Sequence, residues 1–305
     1  MNNLFLFFHI PRTGGTFFTK AISNYLDRSN DNYLKHFNYL QGVSETTYPQ
    51  HNIPLLRHRT TEQQKQLRIL TGHSIISVSP QWLRVHKNPL YFTIVRDPVK
   101  RLLSSFNMRH NAHIMMQNPQ DFSTYSPTLC PKAIYQEKTA QDYDNLYEYY
   151  LDAVFEHNIQ VKWLIKSFYV CDQNQWQKYP DYMLGPDTNI STNEHYPLTW
   201  PNWMYSYDPT INYWDLLEPI LEDFWYIETT DNLTANLPNI AKAMELDFDL
   251  TTNQTDRVHQ YWSYNDVINQ PYFDVLCNEL SDDFKLYNYA LTLSKPWREN
   301  ESKIS

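Results

Sequence analysis

Apolar residues in this chain fall into short unbroken runs and longer stretches spaced by three or four. Leu4 to Phe8 form an unbroken run; it is too short and too β-prone for a helix, so it predicts a buried strand that Pro11 closes. Phe17, Phe18, Ala21, Ile22, Tyr25 and Leu26 then recur at helical spacing. The pattern returns later: Leu90 to Val95 predict a second buried strand, Asp97-Pro98 turns the chain, and a helix continues through at least Asn107. Pro98 suits a helix start because the N–H it lacks would have no intrahelical partner there. Between these units, Thr60 or Thr61 can cap a helix over Glu62–Leu70, and Gly72-His73 closes a short apolar strand. Tyr143–Tyr169 again shows helical spacing, Phe224–Glu228 reads as a strand and Leu233–Met244 as a helix. Residues 27–60, 112–145 and 172–212 lose periodicity and gather Pro, Asn, Asp and Tyr, which predicts loops. Alternating strands and helices predict an α/β protein.

At 305 residues and 42% hydrophobic, the chain can bury a sizeable core, as one large domain or two small ones. No apolar run approaches the roughly 18 residues of a membrane span, and the N-terminal run lacks the features of a signal peptide. Cys130, Cys171 and Cys277 are odd in number and have no pairing or zinc-type spacing, so a reducing cytoplasm is expected. The net charge of −9 is unevenly spread: residues 1–110 carry 14 Lys and Arg against 5 Asp and Glu, the remainder 11 against 29. A basic front half fits a small anionic ligand, and no nucleic-acid motif accompanies it. Arg57, Arg59, Lys65 and Arg68 are expected on solvated faces.

Candidate chemistry sits in the loops that follow the strands. Pro11-Arg12-Thr13-Gly14-Gly15-Thr16 joins the first strand to its helix and holds two of only five glycines. Such a loop can aim several N–H groups at a phosphate or sulfate, although a tight turn needs glycine whether or not anything binds. It lacks the GK[ST] ending of nucleotide-triphosphate loops and the GxGxxG of dinucleotide sites. Arg96, at the end of the second strand, and Ser104, two helical turns on, can close a cation and a hydroxyl on a second phosphate. Each also has a plain alternative, an ion pair for Arg96 and a backbone bond for Ser104. Asp97 and Arg101 read as a local ion pair or cap that fixes the turn. His73, at the carboxyl end of its strand, is placed as a general base would be. His9, His86 and His110 read as structural or surface residues. Trp and Tyr crowd residues 195–217, where they can stack on sugar faces or staple a loop to the core.

Together, PRTGGT after a strand, Gly72-His73, and Arg96-Asp97-Pro98-Val99-Lys100-Arg101-Leu102-Leu103-Ser104 resemble the motifs of sulfotransferases that use 3'-phosphoadenylyl sulfate (PAPS). The resemblance is nearest to the carbohydrate, heparan-sulfate-type O-sulfotransferases. Arg12 stands where that family most often has Lys, a change of reach and geometry that keeps the charge. Phe224–Glu228, Leu233–Met244 and Leu280–Leu291 resemble weaker downstream blocks of the same family. The resemblance implies one α/β domain over 1–305 with a central parallel sheet flanked by helices. Its donor-binding core would span about 1–110, with acceptor-side loops and helices over about 111–305. It implies that Arg12, Thr13, Gly14, Gly15 and Thr16 hold the 5'-phosphosulfate and that Arg96 and Ser104 hold the 3'-phosphate. His73 and Arg12 would be catalytic, 3',5'-bisphosphoadenosine the product, a glycan or small-molecule hydroxyl the acceptor, and no metal would be required. Two rivals remain: a metal-dependent kinase with Asp97 on magnesium, and a non-catalytic anion-binding protein.

Overall fold

Four consecutive buried side chains suit β1 (Phe5–Phe8) to the interior of a sheet covered on both faces. The structure, a computed structural model, describes residues 3–22, 33–34, 60–65, 68–72, 89–117, 142–153, 156–171, 210–246, 248 and 261–293. In it β1 is the middle strand of a five-stranded sheet, together with β2 (Tyr33–Leu34), β3 (Ile69–Gly72), β4 (Leu90–Val95) and β5 (Phe224–Thr229), in the order β2-β3-β1-β4-β5. Every neighbouring pair is parallel. Phe8 lies opposite Gly72 on one side and Thr93 on the other, so β1 and β3 end level while β4 runs on through Ile94 and Val95. The chain lays β2 and β3 on one side of β1 and then crosses to place β4 and β5 on the other. That switch opens a crevice at the carboxyl edge of β1 and β4.

The described helices are α1 (Gly15–Ala21), α2 (Thr61–Lys65), α3 (Pro98–Gln117), α4 (Leu146–Asp152), α5 (Ile159–Cys171), α6 (Tyr213–Leu221), α7 (Thr230–Met244), α8 (Tyr264–Ile268), α9 (Phe273–Glu279) and α10 (Ser281–Leu293). Side chains of β1 alternate between two cores. Leu4, Leu6, Phe8 and Ile10 pack with residues of α5, α6 and α10, while Phe5 and Phe7 pack with Phe18 of α1, Phe92 and the apolar stripe of α7. Phe7, Phe18 and Phe92 form an aromatic triad with centroids 4.7 to 5.2 Å apart, which seats α1, and with it the loop before α1, against the sheet. A third core joins α3 and α4 to residues from α8 and α9.

Several elements differ from the sequence expectation. The helix over Glu62–Leu70 is cut short: α2 stops at Lys65, and Ile69 and Leu70 lie in β3 opposite Phe5 and Leu6, with the Ile69 side chain buried in the sheet core. Lys65 is exposed and pairs with Glu62 at 2.7 Å, but Arg68 is not solvated as expected. Its Nη2 donates to Met244 O at 3.0 Å, capping the C-terminus of α7. Helix α3 extends to Gln117, into the loop expected from 112. The helical stretch over 143–169 divides into α4 and α5 around a corner in which Asn158 takes φ 45°.

Candidate functional site

The first loop is a string of backbone requirements. Arg12 takes φ +70° and Gly14 φ +92°, both in the left-handed region, where an arginine is uncommon and a glycine is at ease. Gly15 is needed for space: a Cβ there would sit 2.0 Å from Cδ2 of His9. The close approach that demands this glycine is therefore made by the chain's own imidazole, which is buried and stacked on Phe7. Thr13 donates its hydroxyl to Ile10 O at 3.0 Å, tightening the turn. Phe18 N–H to Gly14 O is the first bond of α1, which leaves the preceding N–H groups without intrahelical acceptors.

The second loop meets the first directly. Arg12 donates from Nε and Nη2 to Ser104 Oγ at 3.2 and 3.0 Å, across 92 residues of sequence. Arg96 donates from Nη1 to the carbonyl of Arg12 at 3.2 Å. The two expected anion subsites thus form one continuous cationic edge. Burial lowers the pKa of Arg96, and the charge of Arg12 lowers it further. Among the described residues no carboxylate forms an ion pair with Arg96, so the edge carries positive potential that a bound anion would relieve. Asp231 lies nearby but is held by others, accepting from Lys100 Nζ at 3.1 Å and from the Tyr287 hydroxyl at 2.5 Å.

Asp97 caps α3 as expected, accepting from Lys100 N–H at 2.8 Å. Arg101 does not pair with it. Its Nη2 donates to Glu156 Oε2 at 2.6 Å, and Ser105 donates to the other oxygen of the same carboxylate; Arg101 and Glu156 are both fully buried. An arginine in mid-core needs a buried partner, and the α4–α5 corner supplies one in Glu156, while Asp97 is taken up in capping α3.

The carbonyl oxygens of both loops are held by side chains from the second half of the chain. Thr230, at the start of α7, places its hydroxyl 2.7 Å from Thr13 O and 3.1 Å from Val95 O, tying the first loop to the end of β4. Gln160 pairs with the main chain of Arg96 at both prongs of its amide. Sequence reasoning missed both. Thr229-Thr230 follows a strand just as Gly72-His73 does, which was a usable signal; nothing local marks Gln160.

The structure therefore brings Arg12, Thr13, Gly14, Gly15, Arg96 and Ser104 together. Thr16 lies exposed in the first turn of α1. Gly72 ends β3 opposite Phe8, whereas His73, His86 and the aromatic stretch up to residue 209 lie outside the described residues. Among the described residues there is no group of three or more His, Cys, Asp or Glu able to hold a metal ion, and no helix is long and apolar enough to cross a membrane.

A profile described as the Sulfotransferase family matches residues 2–290. No curated protein matches the sequence.

Proposed function

The chain belongs to the sulfotransferase family, and from that premise we propose that it moves the sulfuryl group of PAPS to an acceptor hydroxyl and releases 3',5'-bisphosphoadenosine. The proposed acceptor is a carbohydrate, of the kind that heparan-sulfate-type enzymes sulfate, and the proposed compartment is the cytoplasm. The observation that carries the reading is the meeting of Arg12, Arg96 and Ser104 on one cationic edge, at the crevice between the carboxyl ends of β1 and β4.

In this reading Arg12 and the N–H groups of Thr13 to Thr16 bind the 5'-phosphosulfate, and Arg96 and Ser104 bind the 3'-phosphate. The acceptor oxygen bonds to sulfur as the bond from sulfur to the 5'-phosphate oxygen breaks, and the electron pair stays on that oxygen. His73 takes the hydroxyl proton, while Arg12 neutralises charge on the leaving phosphate. The residues contribute mainly positioning and charge stabilisation, as in phosphoryl transfer.

Calorimetric titration tests the donor class. 3',5'-Bisphosphoadenosine is expected to bind tightly and AMP, which lacks the 3'-phosphate, far more weakly. Binding of ATP only, and only with magnesium, would replace this reading with a kinase. His73→Ala is expected to abolish sulfuryl transfer and leave bisphosphate binding intact; full turnover in that variant removes His73 as the base.

A further inference from the structure

Among the described residues no strand pairs with the main chain of Arg96 beyond Val95, yet both of its peptide groups are bonded. Arg96 N–H donates to Gln160 Oε1 at 2.8 Å, and Gln160 Nε2 donates to Arg96 O at 2.9 Å. One carboxamide thus takes the place of a neighbouring strand at the point where the anion loop leaves the sheet. Gln160 is fully buried and is itself anchored. Asp283 accepts from the N–H groups of Gln160 and Val161 at 3.3 and 2.9 Å, and Asp283 N–H donates to Asn158 Oδ1 at 3.0 Å. Five carboxamide and carboxylate contacts therefore join α10 to the start of α5, and α5 to Arg96. From Arg96 the chain of bonds continues through Nη1 to the carbonyl of Arg12, whose backbone is held at φ +70°.

We propose that Gln160 is a positioning residue of the anion site, acting through Arg96. The carboxamide fixes the peptide planes on either side of the Arg96 Cα, and so the direction in which its side chain leaves the backbone. A guanidinium carries a planar fork of donors, so its value to a phosphate depends on orientation as well as charge. Freed from Gln160, Arg96 keeps its charge and loses its aim. Its N–H and C=O then seek other partners, and the link that holds the carbonyl of Arg12 loosens with it. The assignment of a 3'-phosphate to Arg96 rests on the function proposed above; the positioning role does not.

Gln160→Met keeps the length and much of the volume of the side chain and removes both bonds. The test is a double-substitution cycle with Arg96→Met. It is read by calorimetric affinity for inorganic pyrophosphate and for 3',5'-bisphosphoadenosine, with urea denaturation run on each variant. Gln160→Met is expected to weaken pyrophosphate binding by about tenfold to a hundredfold, taking as guide the range for lost outer-shell partners of metal ligands. In the Arg96→Met background the same substitution is expected to change affinity by less than about twofold, because the side chain it aimed is gone. Unchanged affinity in the single variant, or equal losses in both backgrounds, would overturn the proposal. If wild type binds pyrophosphate but does not prefer the bisphosphate to AMP, the donor assignment fails while the cycle still judges Gln160. If wild type binds neither probe, both fail.

Discussion

Arg96 and Arg101 belong to the same nine-residue motif and meet opposite surroundings. Arg96 lies at the carboxyl edge of the sheet beside a second guanidinium, with its charge disfavoured by burial and by Arg12. Arg101, one turn into α3, is sealed in the core against Glu156. Their neighbours repeat the division: Ser104 accepts from Arg12, while Ser105 donates to Glu156. One helix start thus carries a cationic edge on one face and a buried anchor on the other. A motif of this kind marks residues that must be present without saying which of them touch a ligand.

The largest expected effect breaks the anchor. Arg101→Met leaves Glu156 buried without its cation, and loss of one partner of a buried pair costs about 3–5 kcal/mol. Urea denaturation is expected to show a fall of that size. Arg96→Met is expected to leave stability near wild type, since it removes a charge that its surroundings disfavour, and to weaken bisphosphate binding instead. A stable Arg101 variant beside an unstable Arg96 variant would invert the comparison.

Next comes the pH response of the core corner. Lys162 is fully buried, its Nζ has no hydrogen-bond partner among the described residues, and burial pushes its pKa down to about 7 against the pull of Asp283 and Glu156. An unfolded lysine titrates near 10.4, so between about pH 7 and that value the unfolded chain holds the extra proton. Stability should therefore rise with pH across this window, by at most about 1.4 kcal/mol per unit, and the full cost of the charged amine is present below it. Chemical denaturation at pH 7, 8 and 9 measures the slope, and Lys162→Met should flatten it. A slope that persists in the variant would assign the titration to another group. Arg96, at the edge, is expected to add nothing in that range because its guanidinium stays charged.

A smaller effect separates the glycines. Gly15→Ala drives a methyl into the His9 ring, an overpacking expected to cost about 1–3 kcal/mol. Adding His9→Ala should recover part of the Gly15→Ala loss, because the obstacle is that ring. Additive losses in the double variant would mean that the backbone, and not the imidazole, sets the requirement.

These contrasts show what local pattern can and cannot convey. The strands β1 and β4, the loop between Pro11 and Thr16 and the Asp97 cap were legible because run length, glycine and proline act on their immediate neighbours. Ile69 and Leu70 fell in two overlapping readings, the end of a helix and the start of the short strand that Gly72-His73 closes, because an apolar pair serves either element until a partner strand is known. Gln160, Thr230 and Glu156 were missed for a different reason. Their partners lie 64, 217 and 55 residues away, and a Gln that holds a backbone looks like any other polar residue in a helical stretch. The cations of the site were readable; the groups that hold their loops in place were supplied by tertiary structure.

The smallest effect sharpens the boundary between edge and anchor. Asp231 is a carboxylate whose charge bears on Arg96, and its bonds from Tyr287 and Lys100, set against burial, bring its pKa below the usual carboxylate value. Because the folded value is depressed, the stability it contributes is present at neutral pH and is lost as pH falls through that lowered value. Lys100 and Asp231 are each more than a third exposed, so water and salt screen the pair and Asp231→Asn should cost less than about 1 kcal/mol. Its effect on the edge should have the opposite sign. Removing a negative charge near Arg96 raises the local positive potential, so bisphosphate affinity should increase, by about two- to threefold at low ionic strength and less as salt is added. Isothermal titration at two salt concentrations reads this directly. Weaker binding in Asp231→Asn at low salt would mean that Asp231 orders the cations of the edge instead of offsetting them, and the line drawn here between binding and anchoring residues would have to move outward to include it.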